Sequence, residues 1–180
     1  KDLLARFGDL RMDVVEIDPG MTTIARKYFG LKDDDRIRII HEDGRTFLNS
    51  APSGKYDAVM MDAFGSLFAV PYQLTTRECV AEVYRTLTED GVVVFNLGSA
   101  ITGPGSGFLR SELATYESIF PRVMVFKVYP DLADDRLQNL IIVALRSEGS
   151  VTVPADPEIA RLLGNEYKAP IPAESVLTDD

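Results

Sequence analysis

This sequence offers little for cross-linking or metal chemistry. It has one cysteine, Cys79, so no internal disulfide can form, and one histidine, His41, so no His/Cys set has metal-ligand spacing. No apolar run approaches the roughly 18 residues needed to cross a bilayer, and no segment reads as a secretory leader. Clusters of positive charge are missing too. Lys and Arg number 19 against 28 Asp and Glu, for a net charge of −9. A polyanion such as nucleic acid is therefore not an expected partner, whereas small cations such as amines would be drawn to an acidic cleft. A cytoplasmic setting without metal and without membrane contact is the expectation, and a homodimer stays open. Cys79, inside a helix-like pattern, reads as a small buried hydrophobe rather than a nucleophile.

What is present is an ordinary globular composition, with 46 % apolar and 26 % charged residues in 180. That is enough for one domain with a core. Met12 to Ile17 is a short apolar run that ends in acids, followed by Asp18-Pro19. It reads as a buried parallel strand, with Asp18 as N-cap and Pro19 as first residue of a helix over 19–29. Arg36 to Ile40 reads as a second strand, Tyr56 to Asp62 as a third, and Val92 to Leu97 as a fourth. Thr75-Thr76-Arg77-Glu78 has the form of a capping box, with Thr75 at the cap and Glu78 three residues on. Its helix carries Val80, Val83, Tyr84 and Leu87 at helical spacing and is expected to stop at Gly91. Helices over 108–119 and 157–163 and strands at 122–128 and 138–146 complete the pattern.

Alternating strands and helices predict an α/β fold with a doubly wound, mostly parallel, Rossmann-like sheet. The last two strands, joined by a short loop, predict an antiparallel pair at its end. Residues 1–148 read as one nucleotide-binding domain and 149–180 as a carboxy-terminal tail.

Three acids fall at or just beyond strand carboxyl ends: Glu16, Asp43 and Asp62. In an open parallel sheet these ends share the ligand crevice. Glu16 is placed to accept both hydroxyls of a ribose. Asp43, followed by Gly44, reads either as an Asx turn or as an acceptor for an exocyclic amine. Asp62 ends a very apolar strand, where burial of an acid points to function. Asp18 is better explained as a cap, and His41 as a surface or packing residue.

The segments Val-Val-Glu-Ile-Asp-Pro at 14–19, Glu-Asp-Gly-Arg at 42–45 and Tyr-Asp-Ala-Val-Met-Met-Asp at 56–62 carry a resemblance. Leu-Thr-Thr-Arg-Glu at 74–78 and Asp-Gly-Val-Val-Val-Phe-Asn-Leu at 90–97 extend it. Over roughly residues 3–146 the chain resembles the spermidine synthase (polyamine aminopropyltransferase) family, with its class I S-adenosylmethionine-dependent methyltransferase-like fold. The resemblance implies that Glu16 binds the ribose of decarboxylated S-adenosylmethionine and that Asp43 and Gly44 meet the adenine. It implies that Asp62 is the catalytic acid, taking a proton from an attacking amine such as putrescine. Two departures stand out. A second acid usually follows the catalytic one by three positions, and here that position is Gly65. The family's Gly-rich first strand and loop are also missing from this chain, so a further strand upstream, between those at 12–17 and 56–62, is expected.

Aminopropyl transfer is a direct displacement at the carbon next to a sulfonium. The protein's task is to orient the reactants and remove a proton from the amine. Methyl transfer from S-adenosylmethionine on the same scaffold is the alternative, favoured by Gly65. A non-catalytic nucleotide-binding domain of a larger protein is the third reading, and an acid buried at Asp62 argues against it.

Overall fold

The computed structural model of the chain describes residues 2–63, 70–149 and 156–180. Two compact units divide it, residues 1–51 and 52–180.

The first unit is a βαβ arrangement. Helix α1 (Asp2–Arg6) precedes strand β1 (Met12–Val15), helix α2 (Pro19–Tyr28), strand β2 (Ile37–Ile40) and helix α3 (Gly44–Ser50). β1 pairs parallel with β2, Val14 opposite Ile39. Asp18 caps α2 as expected, its Oδ1 accepting from Gly20 N at 2.7 Å, with Pro19 in the first turn. Gly30, at φ +63°, follows the end of α2 in the left-handed conformation that costs glycine least. Arg36 fastens the approach to β2. Its guanidinium grips Asp34 (2.7 Å) and also donates to the Leu4 and Gly8 carbonyls. Those bonds from Arg36 pull the Asp34 carboxyl down to about 2.

The second unit holds a four-stranded sheet in the order β3-β4-β6-β5: Tyr56–Met61, Leu87–Ser99, Gln138–Leu145 and Arg122–Lys127. β3 and β4 are parallel, while β6 is inserted antiparallel between β4 and β5. The mixed sheet with an antiparallel end therefore agrees with the expected fold class. Helices α4 (Arg77–Thr86) and α5 (Gly107–Glu117) lie over one face. Burial alternates along β4, where Val93, Phe95 and Leu97 go inward, and along β6, where Leu140, Ile142 and Ala144 do. Val80, Val83, Leu109 and Tyr116 meet them from the helices, all fully buried. Each such aliphatic side chain contributes about 1.5–3 kcal/mol. An aromatic chain runs through this core, Phe95 to Tyr116 at 5.9 Å, Tyr116 to Phe120 at 5.8 Å and Phe120 to Tyr84 at 5.1 Å.

Several expectations need correction. The cap of α4 is Thr76, whose Oγ1 accepts from Cys79 N, and not Thr75. Thr75 spends its hydroxyl on the Tyr72 carbonyl (2.8 Å) of a single 3-10 turn, Tyr72–Leu74. Glu78 then falls one position short of a capping-box partner, and its Oε2 accepts from Asp179 N instead. The helix also stops before Gly91. It ends at Thr86, and Leu87 already begins β4. Leu87 sits at helical spacing from Val80 and is fully buried, but from a strand. Gly91 lies where the strand approaches itself closely. An added Cβ would meet Leu87 Cβ at 2.7 Å and the Thr88 carbonyl at 2.9 Å. β1 and β3 are less buried than their apolar sequences predict: β1 is half-buried throughout, and Met60 of β3 is 63 % exposed. Among the described residues β3 pairs in this sheet with β4 alone.

The described part of the tail packs on the second unit. Helix α6 (Pro157–Leu163) leads into residues 165–167, which extend the edge at β5 through Lys127 N to Asn165 O and Tyr167 N to Val125 O. Residues 172–179 then form a strap over α5 and α4. Arg110 binds the Pro172 carbonyl and Glu174, Leu177 N donates to Thr115 Oγ1, and Arg77 N donates to the Leu177 carbonyl.

The cap assignment has a measurable consequence. Thr76→Ala should lower the stability of the second unit by about 1 kcal/mol, the usual loss for an N-cap, while Thr76→Ser should keep it. Urea melts of both variants decide it, and an unchanged Thr76→Ala midpoint would move the cap back to Thr75.

Candidate functional site

Parallel pairing brings strand carboxyl ends together within each unit, and the acids singled out by sequence sit there. In the first unit Glu16 directly follows β1, its backbone N–H donating to the Ile40 carbonyl at 3.0 Å. Glu16 is half-buried, and its Oε1 accepts from Asp18 N at 2.9 Å. That bond orients the carboxylate and occupies one oxygen. Asp43 follows β2 at the same end. It is the N-cap of α3, its Oδ1 accepting from Thr46 N at 3.0 Å, and Gly44 is the first residue of that helix. Of the two readings of Asp43, the local-turn one describes its bonding here. His41 is exposed and hydrogen-bonds Thr22 Oγ1 of α2 at 2.9 Å, a packing role.

Asp62 belongs to the second unit, one residue past β3. It is exposed, contrary to the burial expected at the end of so apolar a strand. The cause is alternation: Met61 turns into the core, 9 % exposed, so Asp62 turns out of it. Asn96 Nδ2 donates to Asp62 Oδ1 at 3.0 Å. With the acid outside the core, its burial no longer counts against a pure binding domain. Gly65, which the resemblance sets at the position of a second acid, lies outside the described residues.

Sequence reasoning passed over two side chains. Asn96 is the polar residue in an otherwise apolar β4 run, one position beyond the Met61–Phe95 pair. Glu112 is the acid in the apolar stripe Leu109, Glu112, Leu113, Tyr116 on α5. It is fully buried, and neither carboxylate oxygen has a hydrogen-bond partner. Burial raises its carboxyl to about 8, so it is neutral at pH 7. Burial, then the charges of Glu112 and Cys79, push the Tyr116 hydroxyl well up. That hydroxyl donates to Met61 Sδ at 3.4 Å, directly beneath the Asp62 end of β3.

A cleft of about 600 Å³ opens at the other end of the four-stranded sheet, lined by Ser53, Gly54, Arg85, Thr88, Glu89 and Arg146. It holds none of the three strand-end acids. Its cations are engaged, Arg85 by Glu82 at 2.7 Å and Arg146 over the Tyr84 ring. Among the described residues no group of three or more His, Cys, Asp or Glu could hold a metal ion, and no helix is long and apolar enough to cross a membrane.

An α/β fold of this topology, with acids at strand carboxyl ends, defines the methyltransferase-like class of transferase folds. Residues 9–129 match the spermine/spermidine synthase domain, and the chain belongs to that family. A solved structure of a probable spermidine synthase from Corynebacterium glutamicum is similar at TM-score 0.75 and 25 % identity, covering 89 % of this chain and 56 % of that one. A polyamine aminopropyltransferase of Vibrio vulnificus is 30 % identical over 152 residues, 83 % of this chain and 48 % of the relative. An N-terminal histidine N-methyltransferase of Emericella nidulans is 30 % identical over 162 residues, 87 % of this chain and 28 % of the relative. The chain thus spans about half the length of the aminopropyltransferases it matches.

The buried acid gives a pH test. Glu112 ionises near its ordinary 4.5 when unfolded and at about 8 when folded, so unfolding releases a proton between those values. Its contribution to stability is fully present below about 4.5 and is lost as pH climbs through about 8. Glu112→Gln should flatten the fall in melting temperature over that window, measured calorimetrically. An identical slope in the variant would mean that Glu112 is not held neutral.

Proposed function

We propose that this chain is the nucleotide-binding and catalytic part of a spermidine synthase-like transferase. It would move an aminopropyl group from decarboxylated S-adenosylmethionine to an amine acceptor such as putrescine. The observation that carries this reading is the family match over residues 9–129, a span in which Glu16, Asp43, Gly44 and Asp62 all fall. Glu16 keeps one oxygen for its own loop and offers the other to the ribose hydroxyls. Asp43 and Gly44, at the start of α3, take the adenine edge. Asp62 holds the acceptor ammonium and accepts its proton, so that the freed lone pair attacks the carbon beside the sulfonium and methylthioadenosine leaves. The exposure of Asp62 suits a group that must meet a soluble amine.

A methyltransferase acting from S-adenosylmethionine is the second reading. It is favoured by Gly65 at the position of a diamine-holding acid and by the 30 % identity to an N-terminal histidine N-methyltransferase. The complete protein, incubated with either nucleotide and a panel of amines, separates the two by product mass. Methylthioadenosine supports the first, S-adenosylhomocysteine the second, and neither product leaves a binding domain.

Two substitutions test the residues. Glu16→Gln should weaken binding of methylthioadenosine by roughly 1–3 kcal/mol, the cost of losing a charged hydrogen-bond partner, as read by calorimetry. Equal affinity would remove Glu16 from the site. Asp62→Asn should keep the melting temperature and nucleotide affinity while turnover falls about 10²–10⁴-fold, the scale of general-base loss. A collapsed fold with undiminished turnover per folded molecule would make the acid structural.

A further inference from the structure

The half-buried face of β4 carries Val92, Val94 and then Asn96, and packing on that face asks for no amide. Asn96 nevertheless points its Nδ2 at Asp62 Oδ1, 3.0 Å away, and leaves its own Oδ1 buried without a hydrogen-bond partner. An orphaned buried acceptor is unfavourable and rare. The opposite amide orientation would set oxygen against a carboxylate oxygen, so the bond to Asp62 fixes which way the side chain lies. Asp62 receives no other side-chain hydrogen bond among the described residues. The backbone forces the meeting. β3 and β4 run parallel with Met61 opposite Phe95, so the next residue on each strand, Asp62 and Asn96, emerges side by side on the face away from the core.

We infer that Asn96 is a positioning residue for Asp62: it holds one carboxylate oxygen as acceptor, fixes the rotamer, and leaves the other oxygen aimed at the amine. This rests on the reading of Asp62 as the base. An exposed carboxylate without such a tether samples several rotamers, and misplacing a reacting group by about 1 Å can cost on the order of 10²-fold in rate. Asn96 acts only through Asp62, so its effect vanishes when Asp62 can no longer take a proton.

The test is a double-mutant cycle in the complete protein with decarboxylated S-adenosylmethionine and putrescine. Asn96→Leu keeps the branched shape of the side chain, though it is larger, and removes the donor. It should lower kcat by about 10²-fold at unchanged KM for the nucleotide. Asp62→Asn/Asn96→Leu should be no slower than Asp62→Asn alone. Asn96→Asp, of the same size, guards against a folding failure and should also lower kcat. An equal loss in both backgrounds, or full kcat in either Asn96 variant, overturns the inference while leaving Asp62 in place. Full turnover of Asp62→Asn overturns the base assignment and the inference together. One readout needs no substrate. Crystals of the variant should show the Asp62 carboxylate in several rotamers, and a single unchanged rotamer in Asn96→Leu overturns the inference.

Discussion

The register that sets Met61 opposite Phe95 decides that the next residues, Asp62 and Asn96, meet side by side on the face away from the core. Between parallel strands one register decides which side chains emerge as neighbours. The pair itself is buried against Tyr116, whose hydroxyl reaches Met61 and whose ring stacks on Phe95. A one-residue slip would invert the alternation, sending Asp62 inward and Met61 to solvent. The cost of burying an unpaired carboxylate there makes the register self-enforcing. The same rule operates in the first unit, where β1 and β2 end together and set Glu16 and Asp43 at one end.

Strand and helix types were legible because each segment's apolar period is unambiguous. α2, α6 and the strand cores fall within a residue or two of the sequence reading. Boundaries failed where one signal served two structures. Leu87 continues the helical spacing of α4 yet is buried as a strand residue, and two adjacent threonines offered two caps. Degree of burial was the least legible property. An apolar strand such as β3 does not announce that the acid closing it will face out. The three candidate acids could be placed at strand ends because each closes or follows an apolar run. Asn96 and Glu112 could not be singled out, since their roles depend on which neighbours register and helix packing supply.

The family relation and the chemistry stand at different depths. A sulfonium donor, a bound nucleoside and an amine nucleophile are common to aminopropyl and methyl transfer. A fold that binds the nucleoside through strand-end acids serves both. What separates them is which carbon beside sulfur faces the nucleophile. That is decided by a few side chains around the acceptor.

The strap over α4 and α5 bears on how the second unit assembles. Asp179 N reaches Glu78 across 101 positions of sequence, and Leu177 N reaches Thr115 across 62. Closing a loop of such length carries an entropic cost that grows only with the logarithm of its length, but it must be met before any contact rewards it. The helix pair and the aromatic chain beneath it join residues closer in sequence and so can form first. The strap is then a late, far-reaching fastening on a core already built. Its release would loosen the outer surface of α4 and α5 while leaving the sheet, and the register that sets Asp62 beside Asn96, intact.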